Sequence, residues 1–233
     1  MKRILAPLLA LSLCIGLAQE KKGGKGSGGA APNTLTTEEQ QQGFQLLFDG
    51  RSLDKFDVAP GQEKIFLVVD GAIKTDSQGA GGTLLTKENY ANFILKAEFR
   101  ANPDVNSGLM LRNPRPGPPA AAGAKKGAGG GQGYELQIRD KDPGNYSGGS
   151  FLTGSIVNVA KAPADAKIKR GEWNTVECTM DGDHMVVIYN GRKEAEGHDS
   201  KLTNGAIGLQ LAHPEDARGA DIEFRNLKVK RLP

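Results

Sequence analysis

The chain has 233 residues, of which 38% are hydrophobic, with 30 basic residues against 27 acidic ones. A formal net charge of +3 is too weak a field to draw the protein to nucleic acid or an anionic membrane. Two cysteines and three histidines exclude a disulfide framework and leave no visible transition-metal ligand cluster.

The first 18 residues read as a secretory signal peptide. Lys2 and Arg3 precede an apolar run from Ile4 to Leu17, and Gly16-Leu17-Ala18 is a small-x-small cleavage motif. The run is too short for a membrane span. Cys14 invites lipidation, but the bulky Leu13 before it suits a lipoprotein signal poorly, so cleavage after Ala18 and a periplasmic or secreted destination are expected. Cleavage leaves 28 basic and 27 acidic residues and a single cysteine, Cys178. Within "TVECTM" it reads as a buried, inert thiol.

Residues 19–40, rich in Gly and Lys and without apolar periodicity, read as a flexible tether. "LTTEEQQQGF" can form a helical turn, and "LTKENYA" is the other candidate for one. "FILKAEFRA" alternates Phe93, Leu95, Ala97 and Phe99 against Ile94, Lys96, Glu98 and Arg100, as a half-buried strand does. "SGLMLR" is a second strand, running into a Gly/Pro/Ala insertion over 113–133 that is read as a long mobile loop within a hairpin. In "GYELQIRD", Tyr134, Leu136 and Ile138 share one face, and Glu135, Gln137 and Arg139 the other. "MDGD" and "YNGR" mark hairpin turns. "GAIGLQLAH" sets Ile207, Leu209 and Leu211 against Gly208 and Gln210. A phase change after Phe224 predicts a bulge near Arg225-Asn226. Many short strands between turn signals predict an all-β antiparallel sandwich or jelly roll, one domain over 41–233.

The polar row Glu135, Gln137, Arg139 is either a solvated sheet face or the floor of a site gripping something polar. Arg112, at the mouth of the insertion, could bring positive charge to the same surface. His213 follows a strand end and, with Gln210, could line a rim, where a histidine suits proton transfer. Asn106 and Ser107 either bond their own turn or touch a sugar. "DKDPGN", Asp140 to Asn145, gathers oxygens that Ca2+ accepts, but lacks the spacing of a calcium loop, so a solvated turn is expected. Trp173 is read as core packing, and His184 and His198 as surface residues. "GAGGGQG" lacks the strand-then-helix context of a dinucleotide loop, so no cofactor is evident.

"GFQLLFDGRSLDKF", "NSGLMLR", "GYELQIRD", "TGSI", "GEWNTVEC", "YNGR", "GAIGLQLAH" and "IEFRNLKVK" together resemble the 3-keto-disaccharide hydrolase domain family over about residues 43–232. The resemblance implies a concanavalin/laminin-G-like jelly roll of two curved sheets, and a secreted protein acting on sugars whose 3-hydroxyl has become a ketone. Phe56 stands where the family usually has tryptophan, and the insertion before Gly133 is longer than usual. On such a substrate the ketone acidifies C2–H, so a base can expel the C1 aglycone by β-elimination before water adds. Glu135 is the expected base, with Gln137 and Arg112 orienting and stabilising charge, His213 a further proton-transfer candidate, and Asn106, Ser107, Arg139, Asp140 and Gln210 on the sugar. A sugar 3-dehydrogenase would have to install the ketone. Glu135, Gln137 and Asp140 also echo, as E-x-Q-x-x-D, the E-x-D-x-x-E of laminarinase-type jelly rolls, with the middle acid lost. The alternative is a non-catalytic carbohydrate-binding or adhesion module on the same fold.

Overall fold

A computed structural model describes residues 31–75, 82–101, 105–115, 133–141, 151–211 and 221–233. The expected signal peptide, the expected tether up to residue 30, most of the 113–133 insertion, Asp142 to Asn145 and His213 lie outside the described residues.

Alternation of apolar and polar side chains produces the strands. In β6 (Phe93–Ala101) every second residue is buried and the residues between are half-exposed, so one face packs and the other meets solvent. The larger antiparallel sheet runs β11 (Arg192–His198), β10 (His184–Tyr189), β9 (Asn174–Asp181), β6, β13 (Ile222–Arg231), β4 (Ala72–Thr75), β3 (Phe66–Val69), with β1 (Gln45–Leu46) also paired to β13. The smaller runs β2 (Phe56–Asp57), β5 (Thr83–Tyr90), β12 (Gly205–Gln210), β7 (Asn106–Asn113), β8 (Tyr134–Arg139). Their facing sides form one core, in which Phe93, Phe99, Leu109, Leu136, Ile138, Leu209 and Phe224 are completely buried. Each such side chain contributes roughly 1.5–3 kcal/mol. The all-β sandwich expected from the strand pattern is the architecture observed.

The turn chemistry is as the sequence predicts. Asn190 (φ 48°) and Gly191 (φ 81°) supply the two left-handed residues that join β10 to β11. The expected bulge interrupts β13 between Arg225 and Lys228, with Asn226 at φ 51°. Asn226 and Asn33 each donate a backbone N–H to the other's side-chain oxygen. That exchange fastens the N-terminal segment to β13, so the folded part begins before residue 41, and the predicted tether is too long by several residues. The helix α1 (Thr37–Gln41) follows, closed by a Thr36/Glu39 capping box. "LTKENYA" is strand, not helix: it forms most of β5, where pairing with β2 and β12 on both sides overrides its helical propensity. Cys178 is fully buried, and burial pushes its thiol up to about 12, which keeps it protonated. Among the described residues no helix is long and apolar enough to cross a membrane.

Candidate functional site

Register decides which polar side chains meet. Glu135, Gln137 and Arg139 of β8 pair with Met110, Gly108 and Asn106 of β7. On the next strand Gly208 faces Met110, and Leu209 faces Leu109, which sets Gln210 beside Gly108. Tyr134, Leu136 and Ile138 point into the core. Glu135, Gln137, Arg139, Asn106 and Gln210 therefore share the face of the smaller sheet that looks away from the core.

Glycine shapes this face. A Cβ on Gly108 would meet Leu136 O at 2.9 Å and lie 3.1 Å from both Cγ and Oε1 of Glu135, so the glycine admits both the close backbone of β8 and a carboxylate resting across β7. A Cβ on Gly208 would meet Thr83 Cγ2 at 2.5 Å and Leu85 Cδ2 at 2.9 Å. Gln137 is 3% exposed and Arg139 6%, so this is no ordinary solvated surface. Gln137 Oε1 accepts from the Ile138 N–H. Among the described residues Gln210 Oε1 is one of three buried side-chain polar atoms without a hydrogen-bond partner, the others being Thr75 Oγ1 and Glu194 Oε2. An acceptor left empty in that way costs about 1–3 kcal/mol unless something fills it.

The outer edge of β8 is held by "TGSI". Gln137 N–H donates to Ser155 O, Gly154 N–H to Gln137 O and Val157 N–H to Glu135 O, all at 2.9–3.0 Å. Beyond this edge Glu135 also walls a cleft of about 290 Å3, shared with Tyr134, Asn158, Asp199, Lys201 and Leu202. The Tyr134 hydroxyl donates to Asp199 Oδ1 (2.8 Å) and accepts from Leu202 N–H (2.9 Å). The Lys201 N–H and ammonium, with the Tyr134 hydroxyl, hold the Asp199 carboxyl down to about 2.

Three expected site residues stand elsewhere. Arg112 is 1% exposed and donates to the carbonyls of Ala91, Gly182 and Leu202 and to Asn92 Oδ1. Its guanidinium is spent tying loops together at one end of the sandwich and offers no charge to the polar row. Ser107 is on the core side, fully buried, and donates to Gln210 O at 2.8 Å. It fixes β7 to β12 and cannot touch a ligand on the opposite face. Asp140 accepts from Thr153 Oγ1 (2.7 Å) and from Ile168 N–H (2.8 Å), so it braces two loops and supplies no second catalytic carboxylate. Trp173, expected in the core, lies instead over the larger sheet, with Arg225 at 3.9 Å and Arg100 at 4.7 Å from its ring. His184 and His198 stack on each other at the surface, beside Glu196 and Asp183. Among the described residues no three His, Cys, Asp or Glu side chains gather to hold a metal. Asp199, Lys201 and Asn158 carry no sequence signal; only the fold brings their loops to β8.

The domain model described as "3-keto-alpha-glucoside-1,2-lyase-like" matches residues 43–230. A candidate glycosyl hydrolase from Parabacteroides distasonis superposes with TM-score 0.67 at 22% identity, over 87% of this chain and 100% of its own. A second candidate glycosyl hydrolase from that organism gives 0.60 at 24%, over 81% and 99%. The exoplasmic/lumenal domain of VIP36, bound to Ca2+ and Man3GlcNAc, gives 0.53 at 11%, over 83% and 90%. These likenesses place the fold among jelly-roll, lectin-like sandwiches. No curated protein matches the sequence significantly.

Proposed function

The chain belongs to the 3-keto-alpha-glucoside-1,2-lyase-like domain family, and from that premise we propose that it cleaves 3-keto-glycosides on the outer face of its smaller sheet. The observation that carries this reading is Glu135 laid over Gly108, between a buried amide at Gln137 and the unfilled acceptor of Gln210.

The chemistry requires one base and one electrophilic partner. Glu135 takes the proton from C2, and the C–H electron pair moves into an enolate whose negative charge rests on the C3 oxygen. The Gln137 amide N–H donates to that oxygen, and Arg139, further along the same row, supplies the positive charge once assigned to Arg112. Collapse of the enolate forms C1=C2, regenerates the ketone and breaks the C1–O bond, and the aglycone oxygen leaves with the proton that Glu135 took from C2, which restores the carboxylate. Water then adds across the new double bond, hydroxyl to C1 and hydrogen to C2, giving the free 3-keto sugar. Gln210 Oε1 and Asn106 hold hydroxyls of the ring. A retaining or inverting glycosidase would need a second carboxylic acid, and Asp140, bound to Thr153 and Ile168, does not serve. The ketone must come from a separate enzyme that oxidises a sugar 3-hydroxyl, and the apolar N-terminal run, read as a signal peptide, favours a periplasmic or secreted setting for the reaction.

Incubation with 3-keto-trehalose should release glucose, and Glu135→Gln should lower the rate by about 10²–10⁴-fold with the fold intact. Tight binding of the ketone without release would instead support the non-catalytic carbohydrate-binding module.

A further inference from the structure

The outermost strand of a β-sheet displays unpaired N–H and C=O groups, and an apolar, unguarded one pairs with another chain. Three of the four sheet ends in this protein are guarded. β11 carries Arg192, Lys193, Glu196 and His198, and a bulge interrupts its ladder with β10. β2 is two residues long, and β8 is covered by "TGSI". β3 is the exception. It ends the larger sheet, and its Leu67, Val68 and Val69 are three of the four large hydrophobic side chains exposed among the described residues. We propose that β3 pairs with β3 of a second copy of this chain, antiparallel and centred on Leu67, so that two larger sheets join into one.

The hairpin joining β3 to β4 sets the register. Asp70 (φ 49°) and Gly71 (φ 74°) are both left-handed and Val69 pairs with Ala72, so the loop is a two-residue turn. In such a hairpin the flanking residues exchange both their hydrogen bonds, and so does every second pair after them. Val69 and Leu67 therefore spend their backbone groups on Ala72 and Lys74. The N–H and C=O of Phe66 and Val68 are left pointing to the open edge. Only with Leu67 opposite its own copy do all these groups meet, Phe66 against Val68 and Val68 against Phe66, in two reciprocal pairs of hydrogen bonds. Leu67 then faces Leu67 in a non-hydrogen-bonded pair, where side chains approach most closely. Lys64 and Asp70, both exposed, come opposite each other at either end, and their opposite charges favour this register over a slipped one. The two-fold axis stands perpendicular to the sheet, so the outer faces of both smaller sheets look the same way. Each copy has one bare edge, and the assembly closes at two.

Two short ladders and a narrow apolar stripe make a small interface, so a Kd on the order of 100 µM is expected. Sedimentation equilibrium of the full chain should give one chain mass at about 5 µM and close to two at about 1 mM. Leu67→Lys sets two ammonium groups together at the axis and should stay monomeric, with an unchanged circular dichroism spectrum because the side chain is exposed. Leu67→Cys should link two copies on oxidation, since Cβ atoms in such a pair lie about 4.5–5.5 Å apart. Val69→Cys, about 13 Å from its counterpart in this register, should not. The native thiol of Cys178 is buried and does not compete. A wild-type protein still monomeric at the higher concentration, a Leu67→Lys protein that dimerises as well as wild type, or a cross-link at 69 in place of 67 would overturn the proposal.

Discussion

The two sheets turn very different faces outward. On the larger sheet the charges are matched: Arg225 with Glu98 at 2.7 Å, Lys228 with Glu39 at 2.7 Å, Lys96 with Glu39 and Glu177, Arg100 with Glu223, and Trp173 laid over the two arginines. A hollow of about 250 Å3 exists there too, but it is lined by these same paired ions. On the smaller sheet glycines replace side chains at Gly108 and Gly208, a carboxylate lies down in the space, and Gln210 keeps a buried oxygen without a partner. Around that hollow the polar groups satisfy one another and leave little to offer a ligand, while the larger sheet's own unpartnered oxygens, Thr75 Oγ1 and Glu194 Oε2, lie away from it. A hollow alone does not mark a site; unfinished hydrogen bonding beside room does.

That contrast can be broken at three points, taken here from the largest expected effect to the smallest. Arg112→Met should destabilise the protein by about 3 kcal/mol or more, because the carbonyls of Ala91, Gly182 and Leu202 lose their donor. Urea unfolding reads this directly, and a loss under about 1 kcal/mol would show that the guanidinium is not a framework group. Gly108→Ala should cut turnover about 100-fold, since the methyl displaces the Glu135 carboxylate by a fraction of an ångström or more. Steady-state kinetics beside a circular dichroism spectrum separates misplacement from misfolding.

The smallest effect belongs to the paired face. Burial works to raise the Glu39 carboxyl, but hydrogen bonds from Lys228 and the Thr36 N–H, with the charges of Lys228 and Lys96, outweigh it and hold the group below its usual range. A carboxyl lowered on folding stabilises the protein above its unfolded pKa, and that stability is lost as pH falls through the folded one. Glu39→Gln should therefore cost about 0.5–1 kcal/mol above pH ~5, dwindling as the pH falls towards ~3, with turnover unchanged. Thermal melts across that range check it, and any loss of activity would mean that the two faces are not separate.

How much of this could be read from residues alone depends on the range of the signal. Period-two alternation, the Asn190-Gly191 turn and the phase slip at Asn226 are local, and each is realised in the structure where the sequence puts it. The row Glu135, Gln137, Arg139 was legible for the same reason. Arg112 misled because alternation places a side chain on a face but does not say which carbonyls from other loops will capture it. Its own backbone turns to φ 48°, which leaves the regular strand. Ser107 lies on the core side of β7, one residue from a site position, and parity alone would have excluded it. Asp199 and Lys201 come from a loop between β11 and β12, and only tertiary packing brings them to Tyr134. "LTKENYA" went the other way: its helical propensity yielded to strand partners on both flanks.

Everything turns on whether the carboxylate at 135 removes a carbon-bound proton. In D2O, with a 3-keto-glucoside, proton NMR follows C2–H directly. The wild-type protein should consume or exchange that proton far faster than solvent does, and Glu135→Gln should still bind the sugar yet lose at least about a hundredfold of that rate. A Glu135→Gln protein that abstracts the C2 proton as quickly as wild type would put the base somewhere else.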